Sequence, residues 1–239
     1  MGSGLKSLAK DTFVYGLSSI IGRFLNWLLV PMYVRVLPSP GDYGIVTNLY
    51  GWTALLLAFL TFGMETTFFR FSNRKEEHNP MQVYANALIF VALLSAAFLV
   101  VGFVFLSPIS DALGYASHPE YVGMLMFIVA LDAVTSISFA RLRSEEKAWK
   151  FAGIKLFNIG LNILLNLFFL LLCPVIYKHA PHSIEWFYRP DYGVGYILVS
   201  NVITSLANVA LLYRELTGFR VHIDGKRMRR MFLYAFPVL

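Results

Sequence analysis

Two long apolar runs near the N-terminus limit what this chain can fold into. The first, Thr12 to Val36, is interrupted by Arg23 and Asn26; the second, Tyr43 to Phe71, carries Glu65 and ends against Arg70 and Arg74. Each exceeds the roughly 20 residues with which an α-helix crosses a hydrocarbon core of about 30 Å. Between them, Leu37-Pro38-Ser39-Pro40-Gly41-Asp42 reads as a turn, because proline removes a backbone donor and stops helix propagation. A guanidinium and a carboxylate inside such runs are costly unless each faces a partner or a water-filled cavity. This helix pair therefore reads as the start of a transport path.

Composition agrees. Of 239 residues, 57% are hydrophobic and 14% charged, against about 25% charged in a soluble domain, and the mean hydropathy is +0.62. Too little polar surface exists to cover the chain in water. The expected fold is an all-α polytopic membrane protein, since barrel strands would alternate apolar and polar residues in short segments. The net charge of +6 does not point to nucleic acid, because the basic residues cluster between apolar runs. Cys173 is the single cysteine, so no internal disulfide forms. Lys6 and Lys10 precede an apolar run as in a secretory signal. That run is too long for a signal core and no small-residue cleavage site closes it, so it is expected to remain as the first span.

Six spans are expected: Thr12–Val36, Tyr43–Phe69, Val83–Leu106, Tyr121–Ala140, Phe151–Tyr177 and Tyr192–Tyr213. The longest connector, Lys178 to Asp191, holds Trp186, Phe187 and Tyr188, residue types suited to a membrane–water boundary. Orientation follows from lysine and arginine alone. On the N-terminal side lie Lys6 and Lys10; Arg70, Arg74 and Lys75; Arg141, Arg143, Lys147 and Lys150; and Arg214, Arg220, Lys226, Arg227, Arg229 and Arg230. The opposite side has Arg35, Lys178 and Arg189, while Arg23 and Lys155 fall within spans. The N-terminus is therefore expected in the cytoplasm. Residues 1–214 form a six-helix lobe in this scheme, and 215–230 a basic cytoplasmic loop. Met231 to Leu239, nine apolar residues, is too short to span and is expected to begin a truncated seventh helix rather than an interfacial tail.

Polar residues fall in stripes. Gly16, Ser19, Arg23 and Asn26 on the first span, and Asn158, Asn162 and Asn166 with Lys155 on the fifth, sit at spacings of three and four, which place them on one helix face. The sixth span has Asn201, Ser205 and Asn208; the fourth has Asp132 with Thr135 and Ser136; the second has Thr61 with Glu65. The third is nearly bare, and its Ser95-Ala96-Ala97 suggests close helix packing. Arg23 lies about 15 Å from its cytoplasmic flank, Asp132 about 14 Å and Glu65 about 8 Å, so Arg23 is expected to pair with one of these acids or to share a cavity with it. The asparagines serve either as hydrogen-bonding glue between helices or as a substrate lining. Glu65 either forms an ion pair with nearby Arg70 or acts with Asp132 in ion coupling. Lys226-Arg227-Met228-Arg229-Arg230 marks topology first and offers a site for anionic headgroups second.

Nothing in the sequence argues for catalysis. The histidines, His78, His118, His179, His182 and His222, all lie in loops, and His179 and His182 have no evident third ligand, so no metal is expected. No cofactor, phosphate loop or nucleophile motif is found. A membrane-embedded glycan-processing enzyme would need convergent acids or a metal motif on one side, and none is seen.

The exit of the first span reads Leu28-Leu29-Val30-Pro31-Met32-Tyr33-Val34-Arg35-Val36-Leu37, then Pro40-Gly41-Asp42-Tyr43-Gly44. It resembles the P-L-Y-T-R-x-L-x-P-x-E-Y-G pattern of polysaccharide-unit flippases in the multidrug/oligosaccharidyl-lipid/polysaccharide exporter superfamily. Phe62-Gly63-Met64-Glu65-Thr66-Thr67-Phe68-Phe69-Arg70-Phe71 is similar to that family's second-helix ending, and Phe232-Leu233-Tyr234-Ala235-Phe236-Pro237 to the opening of its seventh helix. Met32, Val34 and Asp42 depart from the pattern. The resemblance implies two six-helix lobes, this chain being the N-terminal one, with the C-terminal lobe of the same chain as its partner among membrane lipids. It also implies alternating-access flipping of an undecaprenyl-pyrophosphate-linked oligosaccharide across the bacterial cytoplasmic membrane. Arg23 would then meet the pyrophosphate, as guanidinium forks bind phosphate oxygens bidentately. Asn26, Asn158, Asn162, Asn166 and Asn201 would line the substrate path, and Glu65 or Asp132 would couple an ion. The alternative within the superfamily is a multidrug or cation antiporter, with an acidic residue as the main site.

Overall fold

A computed structural model of the chain describes residues 14–17, 20–21, 24–25, 27–72, 79–218 and 225–238. Among them the elements are helical, without strands: α1 Leu29–Val36, α2 Pro40–Thr61, α3 Met64–Ser72, α4 Pro80–Val104, α5 Leu106–Ala112, α6 Pro119–Ser144 and α7 Ala148–Leu167. A π-helical turn, Phe168–Leu172, leads into α8 Cys173–His179, followed by α9 Pro181–Ile184, α10 Gly193–Leu211, α11 Tyr213–Thr217, α12 Gly225–Ala235 and a 3₁₀ turn, Phe236–Val238.

Five helices in the described residues are long and apolar enough to cross a bilayer: Gly41–Ser72, Pro80–Val104, Pro119–Ser144, Ala148–His179 and Gly193–Leu211. They correspond to the expected second to sixth spans, and the chain is an all-α polytopic membrane protein. The expected first span is described only in part.

Local sequence explains where these helices begin. The turn expected through Asp42 is shorter than it looked, because Ser39 and Asp42 close a capping box. The Ser39 Oγ accepts from the Gly41 N–H at 3.1 Å, while Asp42 Oδ2 accepts from the Ser39 N–H at 3.1 Å. Pro40 supplies the preset φ of a first helical residue. Asn79 accepts from the Gln82 N–H at 3.3 Å ahead of Pro80, and Pro119 opens α6. Pro174, one residue into α8, lacks the N–H that Leu170 would receive. Its ring would also crowd that carbonyl, and the widened turn at Phe168–Leu172 relieves the conflict. Lys226 to Arg230, expected in a connector, lie on the first turns of α12.

The chain divides into two compact units, residues 1–50 with 148–204 and residues 51–147 with 205–239. In the second, α4 packs along α6, α3 rests on both, and α12 covers α3 and α4. Tyr84, Val83 and Val91 from α4 and Ile137 and Leu142 from α6 are fully buried. Of the segment expected to pack closely, Ser95 is buried while Ala96 and Ala97 are exposed; further along α4, a Cβ built on Gly102 would come within 2.5 Å of Met126 Sδ. Between α2 and α3 the chain adopts left-handed φ at Phe62 (48°) and Gly63 (63°). In the first unit, the Tyr196 ring is stacked between Phe169 (5.0 Å) and Tyr188 (5.2 Å). Its hydroxyl donates to the Phe187 carbonyl at 3.2 Å and accepts from the Arg189 N–H at 2.6 Å. Trp186 is 84% exposed, as a boundary residue should be, but Tyr188 is buried, and burial pushes its phenol up to about 12. It belongs to the core rather than to the boundary.

Candidate functional site

The first unit contains a chain of hydrogen-bonded polar side chains that begins at Tyr33 and ends at Tyr50. Asn166 and Asn162 share one face of α7 because they are one turn apart. The Asn166 Nδ2 donates to Asn162 Oδ1 at 3.1 Å, and Asn162 Nδ2 donates to Asn201 Oδ1 on α10 at 3.0 Å. Asn201 Nδ2 donates to the Tyr50 hydroxyl at 2.9 Å, and Tyr33 donates to Asn166 Oδ1 at 2.9 Å. Each of the three asparagines both donates and accepts along this chain. Asn158, a turn earlier, donates to the Thr204 carbonyl at 2.8 Å.

This chain of hydrogen bonds ties α7 and α10 to α1 and α2. Its inner members are sealed: Asn166 is 1% exposed and Asn162 8%. Tyr50, at 40%, is its open end. An apolar surround raises the cost of any unpaired amide, so the buried amides depend on these partners. Of the expected lining residues, Asn162, Asn166 and Asn201 are thus brought together, with Asn158 one turn away. Tyr33 and Tyr50 were missed by sequence reasoning. Their signal was a hydroxyl inside an otherwise apolar run, which also fits a boundary aromatic. Arg23 and Asn26 lie outside the described residues.

The second unit holds both acids. Asp132 sits near the middle of α6, about 20 Å from Pro119 by the helical rise, and its Oδ1 accepts from Ser205 Oγ at 2.8 Å. Glu65, in the first turn of α3, forms an ion pair with Arg143 from the last turn of α6. The Arg143 guanidinium lies 5.2 Å over the Phe69 ring. Arg70, the partner considered from sequence, instead lies 4.1 Å over Tyr234.

Around Arg143 the basic ends of the helices are knitted together. Tyr84 donates to the Glu215 carbonyl at 2.9 Å and meets Ser138 Oγ at 3.0 Å. Arg141 lies 4.8 Å over the Tyr84 ring and donates from Nε to Glu145 at 2.7 Å, while Lys147 approaches the other Glu145 oxygen at 2.6 Å. Burial pushes the Glu145 carboxyl up, but hydrogen bonds from Lys147 and Arg141 outweigh it and hold the group below the ordinary carboxylate range. A depressed folded pKa stabilises the fold above the unfolded value, about 4.3, and that contribution is lost as pH falls through the folded value. The thermal midpoint is therefore expected to drop below about pH 4, and a Glu145→Gln chain to lose less over the same interval; parallel melts across pH 3–6 measure the difference.

Apolar spans with amides and carboxylates in their helix packing define an all-α polytopic membrane protein. The sequence profile of the polysaccharide biosynthesis protein family matches residues 8–239, and the chain belongs to that family. Searches of curated proteins and of solved structures return no match.

Proposed function

We propose that the chain flips a lipid-linked oligosaccharide, with undecaprenyl pyrophosphate as carrier, across the bacterial cytoplasmic membrane for surface polysaccharide synthesis. The observation that carries this reading is the family match over residues 8–239 on a protein with five bilayer-length helices among its described residues. In this reading residues 1–214 are one lobe, 215–230 join it to a second, and 231–239 begin the seventh span. The basic ends of the helices face the cytoplasm, where the carrier is loaded. Arg23 is the pyrophosphate anchor. Asn26, Asn158 and Asn201 line the path, with Asn201 and Tyr50 at its accessible edge, and the sealed Asn162 and Asn166 hold that edge in place from behind. Glu65 and Asp132 are the carboxylates available for ion coupling.

Translocation of fluorescent glycan-lipid in vesicles tests the anchor. An Arg23→Ala chain that inserts normally is expected to lose about 10–100-fold in transport, since a charge-assisted contact contributes about 1.5–3 kcal/mol. Undiminished transport would remove Arg23 from the mechanism. Loss of drug resistance in an Asp132→Asn chain with glycan transport intact would favour a cation antiporter instead.

A further inference from the structure

The helix α12 has two sides of different character. Its inner side is fastened to the second unit: Met231 and Ala235 are buried, and the Phe232 ring stacks on Phe62 at 5.2 Å. Arg227 donates to Gln82 Oε1 at 2.6 Å. Gln82 belongs to the first turn of the α4 span, so this contact fixes α12 at the level where that span leaves the hydrocarbon. The outer side carries Lys226, Arg229, Arg230 and Leu233, all exposed; beyond the helix end Phe236, 65% exposed, stands at the rim of the aromatic contact, 6.4 Å from Phe62 and 6.3 Å from Phe232. Positions 226, 229, 230 and 233 recur at helical spacing and form one stripe. No acidic residue interrupts it within α12.

Order along the stripe matters as much as charge. Three cations come first, and the apolar residues follow about 10 Å further along the axis. A phospholipid offers the same sequence of groups, an anionic phosphate followed by acyl chain. A free phosphate offers only the first. We propose that the outer face of α12 binds an anionic phospholipid of the cytoplasmic leaflet. Lys226, Arg229 and Arg230 surround the phosphate, and Leu233 and Phe236 receive the chains. A helix that enters the bilayer with its basic first turns at headgroup level has the physical makeup for this task, whatever the protein transports.

Binding of fluorescent phosphatidylglycerol to the whole chain in detergent, with fluorescent phosphatidylcholine as reference, tests the site. The parent should prefer phosphatidylglycerol. The Lys226→Gln/Arg229→Gln/Arg230→Gln variant should lose that preference by on the order of 100-fold, from about fivefold per charge. Should the triple variant fail to fold, Arg229→Gln alone should lose about fivefold. Leu233→Gln should weaken the lipid several-fold without affecting binding of glycerol phosphate. Equal affinity for the two lipids, or an unchanged preference in the charge variants, overturns the proposal. So does competition by inorganic phosphate as effective as that by the lipid, since it would mark a simple anion site.

Discussion

An Asn166→Leu chain is expected to unfold about 4–8 °C below the parent. Leucine keeps the branched heavy-atom skeleton of asparagine with more bulk, so no cavity is left and the lost hydrogen bonds dominate. The substitution strands the Tyr33 hydroxyl, which donates to Asn166 at 2.9 Å, and removes the donor to Asn162 Oδ1. An interhelical hydrogen bond in a membrane contributes about 0.6 kcal/mol and at most about 1.7, but a stranded buried group costs about 1–3 kcal/mol. Two such groups at the low end of that range, where the weak hydrogen bonds of membrane helices place them, amount to about 2 kcal/mol, and in a protein of this size each kcal/mol moves the midpoint about 2–4 °C. Cys173, the sole cysteine and fully buried, supplies the readout, because a thiol-reactive dye labels it only on unfolding. Adding Tyr33→Phe removes one stranded group and should return part of the loss. An unchanged midpoint in Asn166→Leu would mean that this chain of hydrogen bonds contributes nothing to stability.

The second large effect is expected at Gly63. Its φ of 63° lies where a Cβ costs an L-residue about 1–2 kcal/mol, and β-branching adds crowding at χ1. The neighbouring Phe62 already holds φ 48°, kept there by its stack on Phe232 at 5.2 Å and its contact with Phe90 at 5.7 Å. Gly63→Val is expected to lower the midpoint more than Gly63→Ala, and both more than Gly102→Ala. That ranking separates backbone strain from crowding. Gly102 has close surroundings, but its obstacle is the end of the Met126 side chain, which can rotate aside. Melts of the three variants in one detergent decide it; a larger loss at Gly102 would show that helix packing, not conformation, governs these positions.

The spans were legible because burial in lipid demands length, and length is written directly in the sequence. The expected Phe151–Tyr177 became Ala148–His179 and Val83–Leu106 became Pro80–Val104, shifts of a few residues set by Pro80 and the cap at Asn79. The asparagine face of α7 was equally legible, since spacing of four determines it. Partners were not. Glu65 lies five positions from Arg70 in sequence but pairs with Arg143 on another helix, a choice made by how α3 meets α6. Tyr33 and Tyr50 stand at the two ends of the amide chain, yet in an apolar run their rings conceal their hydroxyls. The break at Phe62–Gly63 left only a glycine as its trace, and the same glycine would suit ordinary close packing.

The widened turn at Phe168–Leu172 has a consequence for how one span meets its surroundings. One extra residue in a helical turn rotates everything beyond it by about 100° relative to an unbroken helix. The row that Asn158, Asn162 and Asn166 trace therefore cannot run on past the bulge along the same meridian. Residues after Leu172 face a different compass direction, so the half of the span before the bulge serves a polar neighbourhood and the half after it an aromatic and aliphatic one. Phasing, rather than a change of helix, separates the two environments.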